Sequence, residues 1–234
     1  MKDLAIATMT FAKTKEEAEL MESALKILAD RGYSAYVADG AGPVEGFARN
    51  IRLMGHHVVE VKGGLAPQQR DSISRASDKS PFVLYTEPDK YDWFVNGFER
   101  FVDAYSRGKK GFAAVGRTPE QMKTFPPHQQ YWENKMNSII EYETGIKGDF
   151  IYGPKFFPSV LGNHVKDFKK GVGWQTVMFL PGRAYNLRMP IEIIETASEC
   201  PINQRREDNA EYREKQFEQN KLGFYIGLKQ FSCE

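Results

Sequence analysis

Only two cysteines occur in the chain, Cys200 and Cys233. They lack metal-ligand spacing and are too few for a disulfide framework, which points to a reduced, cytoplasmic protein. Long apolar runs are missing as well. The N-terminal stretch MKDLAIATMTFAKTKEEAEL turns to charge too early for the apolar region of a signal peptide, and nothing approaches membrane-spanning length. Neither sign of charge dominates: 32 Lys and Arg stand against 31 Asp and Glu, for a formal net charge of +1. No global field therefore argues for nucleic acid or an anionic membrane, although a local basic groove stays open. The first strand is not followed by G-x-G-x-x-G, and G-x-x-x-x-G-K-[ST] occurs nowhere. These absences weigh against a dinucleotide dehydrogenase and a P-loop enzyme. Without G-x-S-x-G, an α/β-hydrolase is also disfavoured. There is no internal repeat and no low-complexity linker.

What is present reads as an alternation. The 234 residues are 41% hydrophobic and 27% charged, enough for one sizeable core. LAIATMTF (4–11) is a short apolar run with the character of a buried strand. TKEEAELMESALKILADRG follows as a helix. Thr14 and Glu17 have capping-box spacing, Ala18, Met21, Leu25 and Leu28 share a face, and Gly32 closes the end. SAYVADG is the second strand, VEGFARNIRLMG a short helix and HVVEVK the third strand. After Gly63-Gly64 and LAPQQRDSISRAS comes FVLYTE, then a helix over WFVNGFERFVDAYSRG and a fifth strand at GFAAVG. Strands alternating with helices predict an α/β domain, a mostly parallel sheet flanked by helices. PPHQQYWENKMNSIIEYETG reads as a loop entering a helix, with strand-like pieces near DFIYGPKFF and MPIEIIET. From Asn203 onward the composition becomes highly charged. The economical division is a domain over 1–202 and a charged C-terminal helical tail over 203–234. The tail's aromatics, Phe217, Phe224, Tyr225 and Phe231, pack on the domain or on a partner such as a second copy.

In an open parallel sheet, ligands sit outside the carboxyl ends of the strands. Asp39, Gly63, Gly64, Glu87 and Asp89 all fall at or just past such ends. Glu87 and Asp89, held about Pro88, have the spacing of an oxygen clamp for a hard divalent cation that leaves places for phosphate oxygens. The plain alternative is a solvated turn before the next helix. His56-His57 reads as ordinary surface at the mouth of a strand. His128 carries no signal. His164 lies downstream of the acids, where an imidazole would complete a metal site.

Taken in order, these pieces resemble the nucleotide-sugar-binding half of glycosyltransferases with the A-type fold, the family 2-like group of nucleotide-diphospho-sugar transferases. TMTFAK is similar to the polar turn after that group's first strand, and VADG to the strand whose Asp meets the nucleoside. KGGLAPQQRDSISRAS resembles the Gly-rich turn and the Arg at the head of the next helix. FVLYTEPD is similar to the acid-x-acid metal motif, and residues 149–193 to the acceptor side. The resemblance spans roughly residues 4–195. It implies a nucleoside diphosphate sugar with Mg²⁺ or Mn²⁺ as ligands, and an acceptor of unspecified chemistry. Asp39, Gly63, Gly64 and Arg70 would hold the nucleotide, and Glu87, Asp89 and His164 the metal. Trp174 would stack on sugar or acceptor, unless it serves packing beside its two glycines. Two departures stand out. Glu87 replaces the usual Asp, and Gln175 stands where inverting members carry an acidic base, although an amide is a poor proton acceptor near neutral pH. A non-catalytic nucleotide or nucleotide-sugar binding protein on the same scaffold is the alternative, and a fold relative using its cleft as an interaction surface is a third reading.

Overall fold

A computed structural model describes residues 3–169, 171–201, 205 and 208–229. Asn203, Phe231 and Cys233, singled out above, lie outside the described residues. In chain order the elements are β1 (Leu4–Thr10), α1 (Lys15–Asp30), β2 (Ala35–Asp39), α2 (Phe47–Leu53), β3 (His57–Glu60), α3 (Leu65–Ser77), β4 (Phe82–Thr86), α4 (Tyr91–Asn96) and α5 (Phe98–Arg107). They continue with β5 (Phe112–Gly116), α6 (Pro119–Met122), α7 (Pro127–Thr144), β6 (Lys155–Pro158), α8 (Ser159–Asp167), α9 (Gln175–Asn186), β7 (Ile191–Glu195) and α10 (Ala210–Leu228).

The seven strands form one sheet in the order β3-β2-β1-β4-β6-β5-β7. Every pairing is parallel except those of β6, which runs against both β4 and β5. The expected mostly parallel sheet flanked by helices is what the chain forms. Its inner strands bury both faces, and side-chain alternation assigns each residue to a side. Ile6, Leu84, Ala113 and Val115 face the core built with α1, α4 and α5. Ala5, Ala7, Val83, Tyr85, Phe112 and Ala114 face the core built with α3, α7, α8, α9 and α10.

Local chemistry sets the element ends. Thr14 caps α1 by accepting from the Glu17 amide at 3.2 Å, while the Glu17 carboxylate takes the Lys13 amide, one residue before the reciprocal partner of a full capping box. Gly32, at φ +78°, lets the Tyr33 amide turn back to the Leu28 carbonyl, 2.9 Å away. The helix read over residues 93–108 is divided at Gly97. A Cβ there would stand 2.3 Å from the Thr196 carbonyl oxygen, so this point of the chain must be glycine for the segment after β7 to pass.

The charged C-terminal segment forms a helix, and that helix is part of the core. Phe217 and Phe224 of α10 are buried against α9 and α7, and Tyr225 donates its hydroxyl to Glu143. Gly223 and Gly227 bring the backbones of α9 and α10 together: a Cβ at either would lie 2.3 Å from a carbonyl oxygen of α9. Among the described residues, no helix is long and apolar enough to cross a membrane.

Candidate functional site

The carboxyl ends of β1, β2 and β4 lie side by side on one edge. Thr10, the last residue of β1, donates its hydroxyl to Asp39 Oδ1 at 2.8 Å, and the Ala41 amide meets Asp39 Oδ2 at 3.2 Å. Asp39 is thus buried and braces the two loops that follow β1 and β2. Beside it Phe11 is exposed, an aromatic on the sheet edge that the sequence pattern did not flag. Gly63 and Gly64 have φ of +104° and +90° and lead into α3, with Gly64 as N-cap and open space where its side chain would be. The first turn of α3 therefore presents its backbone amides at the same edge. Because β1 separates β2 from β4, Asp39 and the end of β4 are roughly 10 Å apart.

A cleft of about 280 Å³ opens at the end of β4. Glu87, Asp89, Lys90 and Asp92 line one side, and Trp174, Val177 and Met178 of the α9 segment line another. The far wall is α7 and α10, through Gln129, Glu133, Arg213, Gln216 and Asn220. Trp174 Nε1 and Arg213 Nε are buried without a hydrogen-bond partner among the described residues. Lys90 Nζ sits 2.9 Å from Glu87 Oε2 and 3.4 Å from Asp89 Oδ1. Burial opposes its charge, but Asp89 and Glu87 outweigh that and hold its pKa above the ordinary lysine value.

Deeper in the same wall is a buried charge network. Arg117, just past β5, donates from Nε to Asp149 Oδ2 at 2.6 Å, from Nη2 to Asp149 Oδ1 at 3.1 Å, and from Nη2 to Glu133. Burial alone would raise the Asp149 carboxyl, but Arg117 and the Asn137 amide keep it below the usual range. Gln129 bonds the other oxygen of Glu133 at 2.8 Å. Beneath the floor, Lys155 is fully buried and donates to the Tyr152 carbonyl. Burial pulls its pKa down to about 8.

No protein-family model matches this sequence, and no curated protein resembles it by sequence. Solved structures do match the fold. Glucosyl-3-phosphoglycerate synthase from Mycobacterium tuberculosis, solved with phosphoglyceric acid, superposes with a TM-score of 0.64 at 11% identity, over 96% of this chain and 79% of its own. Mannosyl-3-phosphoglycerate synthase from Rubrobacter xylanophilus gives 0.63 at 11% identity, over 99% and 77%. A mannosyltransferase from Pyrobaculum calidifontis, solved with GDP-Man and Mn²⁺, gives 0.53 at 12% identity, over 96% and 72%. The chain has the nucleotide-diphospho-sugar transferase fold.

Within that fold the residues named from sequence divide into three groups. Glu87, Asp89 and Trp174 meet in the cleft. Asp39, Gly63 and Gly64 share the neighbouring strand-end edge. Arg70, His164 and Gln175 go elsewhere. Arg70 Nη1 donates to the carbonyls of Phe168 and Lys169, at 3.4 and 3.1 Å, and so anchors the end of α8. His164 rides on α8. Since β6 is antiparallel to β4, with Pro158 opposite Phe82, α8 departs from the end of the sheet remote from Glu87. Among the described residues no three His, Cys, Asp or Glu side chains gather as a metal site. Gln175 is buried, and its Oε1 accepts from the Val172 amide at 3.0 Å, which closes the turn into α9. It does not line the cleft. His56, read as surface, is buried too: Nδ1 accepts from the Ala35 amide and Nε2 meets the Leu25 carbonyl, each at 3.0 Å. Lys90 and Asp92 were missed although they adjoin the acid pair, because a lysine or aspartate opening a helix reads as ordinary solvated charge.

The same geometry tests the fit of a divalent ion. Mg²⁺ or Mn²⁺ would need the oxygens of Glu87 and Asp89. Both carboxylates are already joined to the Lys90 ammonium, and His164 is not at hand to add a ligand. As arranged, the residues do not fit the ion.

Proposed function

We propose that this protein is a glycosyltransferase that takes its sugar from a nucleoside diphosphate donor. The observation that carries the reading is the parallel strand order β3-β2-β1-β4. It sets the Asp39 and Gly63-Gly64 edge beside the Glu87-Asp89-Lys90 cleft, so one extended ligand reaches from the ends of β1 and β2 to the end of β4. The nucleoside lies against Phe11 and the loop braced by Asp39. The diphosphate meets the amides at the start of α3 and the Lys90 ammonium. The sugar then points into the cleft, toward Trp174.

The acceptor enters between Asp92 and the wall formed by α7 and α10. In the transfer, the bond from the anomeric carbon to the diphosphate oxygen breaks, and its electron pair leaves with the nucleoside diphosphate. The acceptor oxygen bonds to the anomeric carbon. Its proton passes to Asp92, a cleft carboxylate that has neither an ion pair nor a hydrogen bond among the described residues. Gln175 takes no part, since its amide is committed to the turn before α9.

A thermal-shift panel of nucleoside diphosphates and nucleotide sugars tests the reading. A true ligand at about 100 times its dissociation constant adds roughly 2.7 kcal/mol to stability, an easily resolved rise in melting temperature. Asp92→Asn is expected to keep that rise while cutting donor turnover by about 10²-fold or more. If no nucleotide shifts the wild-type transition, the transferase reading is wrong.

A further inference from the structure

The acid-x-acid motif carries a feature with no counterpart in its sequence pattern: the lysine that follows it has turned back into it. Lys90 Nζ reaches Glu87 Oε2 at 2.9 Å and Asp89 Oδ1 at 3.4 Å, and its side chain is only 20% exposed. Glu87 is buried more deeply still, at 8%. The chain ahead of β6 is laid on this pair. A Cβ at Gly153 would stand 2.1 Å from Glu87 Oε2 and 2.4 Å from Lys90 Cε, so any side chain there would displace the ends of these two residues. Lys90 Nζ also lies 5.5 Å from the centre of the Tyr152 ring, in cation–π range. Segments distant in sequence, the turn after β4 and the strand entry at residues 152–153, together fix where the ammonium sits.

We propose that Lys90 is the built-in cation of this site, and that its ammonium occupies the seat between Glu87 and Asp89 in place of a divalent metal. An ammonium has three N–H donors. Two engage the acids, and the third, which has no acceptor among the described residues, is available to an anionic oxygen in the cleft. The two seats differ in charge. Two carboxylates with a divalent ion sum to zero, whereas two carboxylates with Lys90 leave one negative charge. The anion is accordingly held by directed hydrogen bonds, from Lys90 and the amides opening α3, more than by net charge. That the anion is a diphosphate rests on the proposed function; that the seat is filled by Lys90 does not.

The test uses the full chain and reads Mn²⁺ uptake from the loss of the free-ion electron paramagnetic resonance signal, without nucleotide. Wild type, Lys90→Met and Lys90→Met/Asp89→Asn are compared, with circular dichroism as a check on folding. Lys90→Gln replaces the methionine variant if that variant fails to fold. The wild type is expected to take up little Mn²⁺, the single variant to bind it at least about tenfold more tightly, and the double variant to lose that gain. Uptake by the wild type as tight as by the single variant overturns the proposal. So does no uptake by either, because the acids would then offer no cation seat to fill. In a second arm, calorimetry follows UDP and GDP in chelator and in Mn²⁺. Affinity should be the same in both for the wild type and Mn²⁺-dependent for Lys90→Met, and a tenfold gain with Mn²⁺ in the wild type would also overturn the assignment. If neither nucleotide binds while the first arm behaves as expected, the transferase reading fails and the Lys90 assignment stands.

Discussion

On the β3-β2-β1-β4 side of the sheet every pairing is parallel, and α1 between the first two strands follows simple apolar periodicity. At its strand ends the polar contacts join near neighbours: Thr10 to Asp39 across adjacent strands, and Asp39 to its own loop. On the β6-β5-β7 side one strand is reversed, and the edge above it is filled with buried charge. Arg117, Glu133 and Asp149 join the end of β5, the helix α7 and the loop before β6, and Lys155 lies beneath them. The first half organises its strand-end edge through backbone geometry. The second organises a cleft wall by neutralising ions that its own packing has taken out of water. Regular units of strand and helix thus suffice for the β3-β2-β1-β4 side, whereas the irregular β6-β5-β7 side is fixed by partners brought together from far along the chain.

The largest break in that contrast should come from the charge network. Asp149→Ala leaves the Arg117 guanidinium, whose side chain is 1% exposed, with Glu133 as its one carboxylate partner. The expected loss is about 3–5 kcal/mol in urea denaturation, because the backbone amide and Nε of Arg117, both donors to Asp149, are left buried without that acceptor. A loss below about 1 kcal/mol would show that the network is wetter than its geometry implies.

Lys155 sharpens the comparison from the opposite direction, since here the native state carries a penalty. Its pKa is drawn down to about 8 from the ordinary 10.5. Below pH 8 both folded and unfolded states hold the proton, and the cost of burying it is fully present. Between those two values the unfolded state binds more protons, so this group's contribution to stability rises with pH. Lys155→Met should therefore stabilise the protein at pH 7 by up to about 3 kcal/mol, with the advantage over wild type shrinking as pH climbs from 8 toward 10. Paired melting curves across that range decide it, and an advantage independent of pH would assign the gain to packing alone.

The smallest effect belongs to the parallel side. Thr10→Val removes the 2.8 Å bond to Asp39 and leaves a buried carboxylate oxygen one donor short. Stability should fall by about 1 kcal/mol, and nucleotide-induced stabilisation should fall with it as the β1 and β2 loops loosen. A drop as large as that of Asp149→Ala would erase the distinction between the two halves.

How far each half was legible follows the same line. The strands over 4–10, 35–39, 57–60, 82–86 and 112–116 and the helix α1 are written in local apolar runs and caps, and they lie where those signals put them. Asp39, Gly63, Gly64, Glu87 and Asp89 follow as strand-end residues, because in a parallel sheet chain position already implies which edge a residue occupies. That inference fails past β5. His164 reads as a candidate ligand only if β6 is parallel, and reversing that strand carries α8 to the other end of the sheet. Gln175 and Trp174 are neighbours in sequence, yet one closes a turn and the other lines the cleft, a choice made by how α9 seats against α10. The charged composition after residue 203 likewise hides the glycines that let α10 join the core.

The sequence by itself determined the α/β class, the parallel β3-β2-β1-β4 half and the acids at the end of β4, since these depend on periodicity and on interactions within a few residues. Tertiary structure alone decided the reversal of β6, the pairing of Arg117 with Glu133 and Asp149, and the return of Lys90 onto Glu87 under Gly153. The physical reason is desolvation. Whether a charged side chain stays in water or takes an internal partner depends on what packs over it, and the segments that pack over these ions come from elsewhere in the chain.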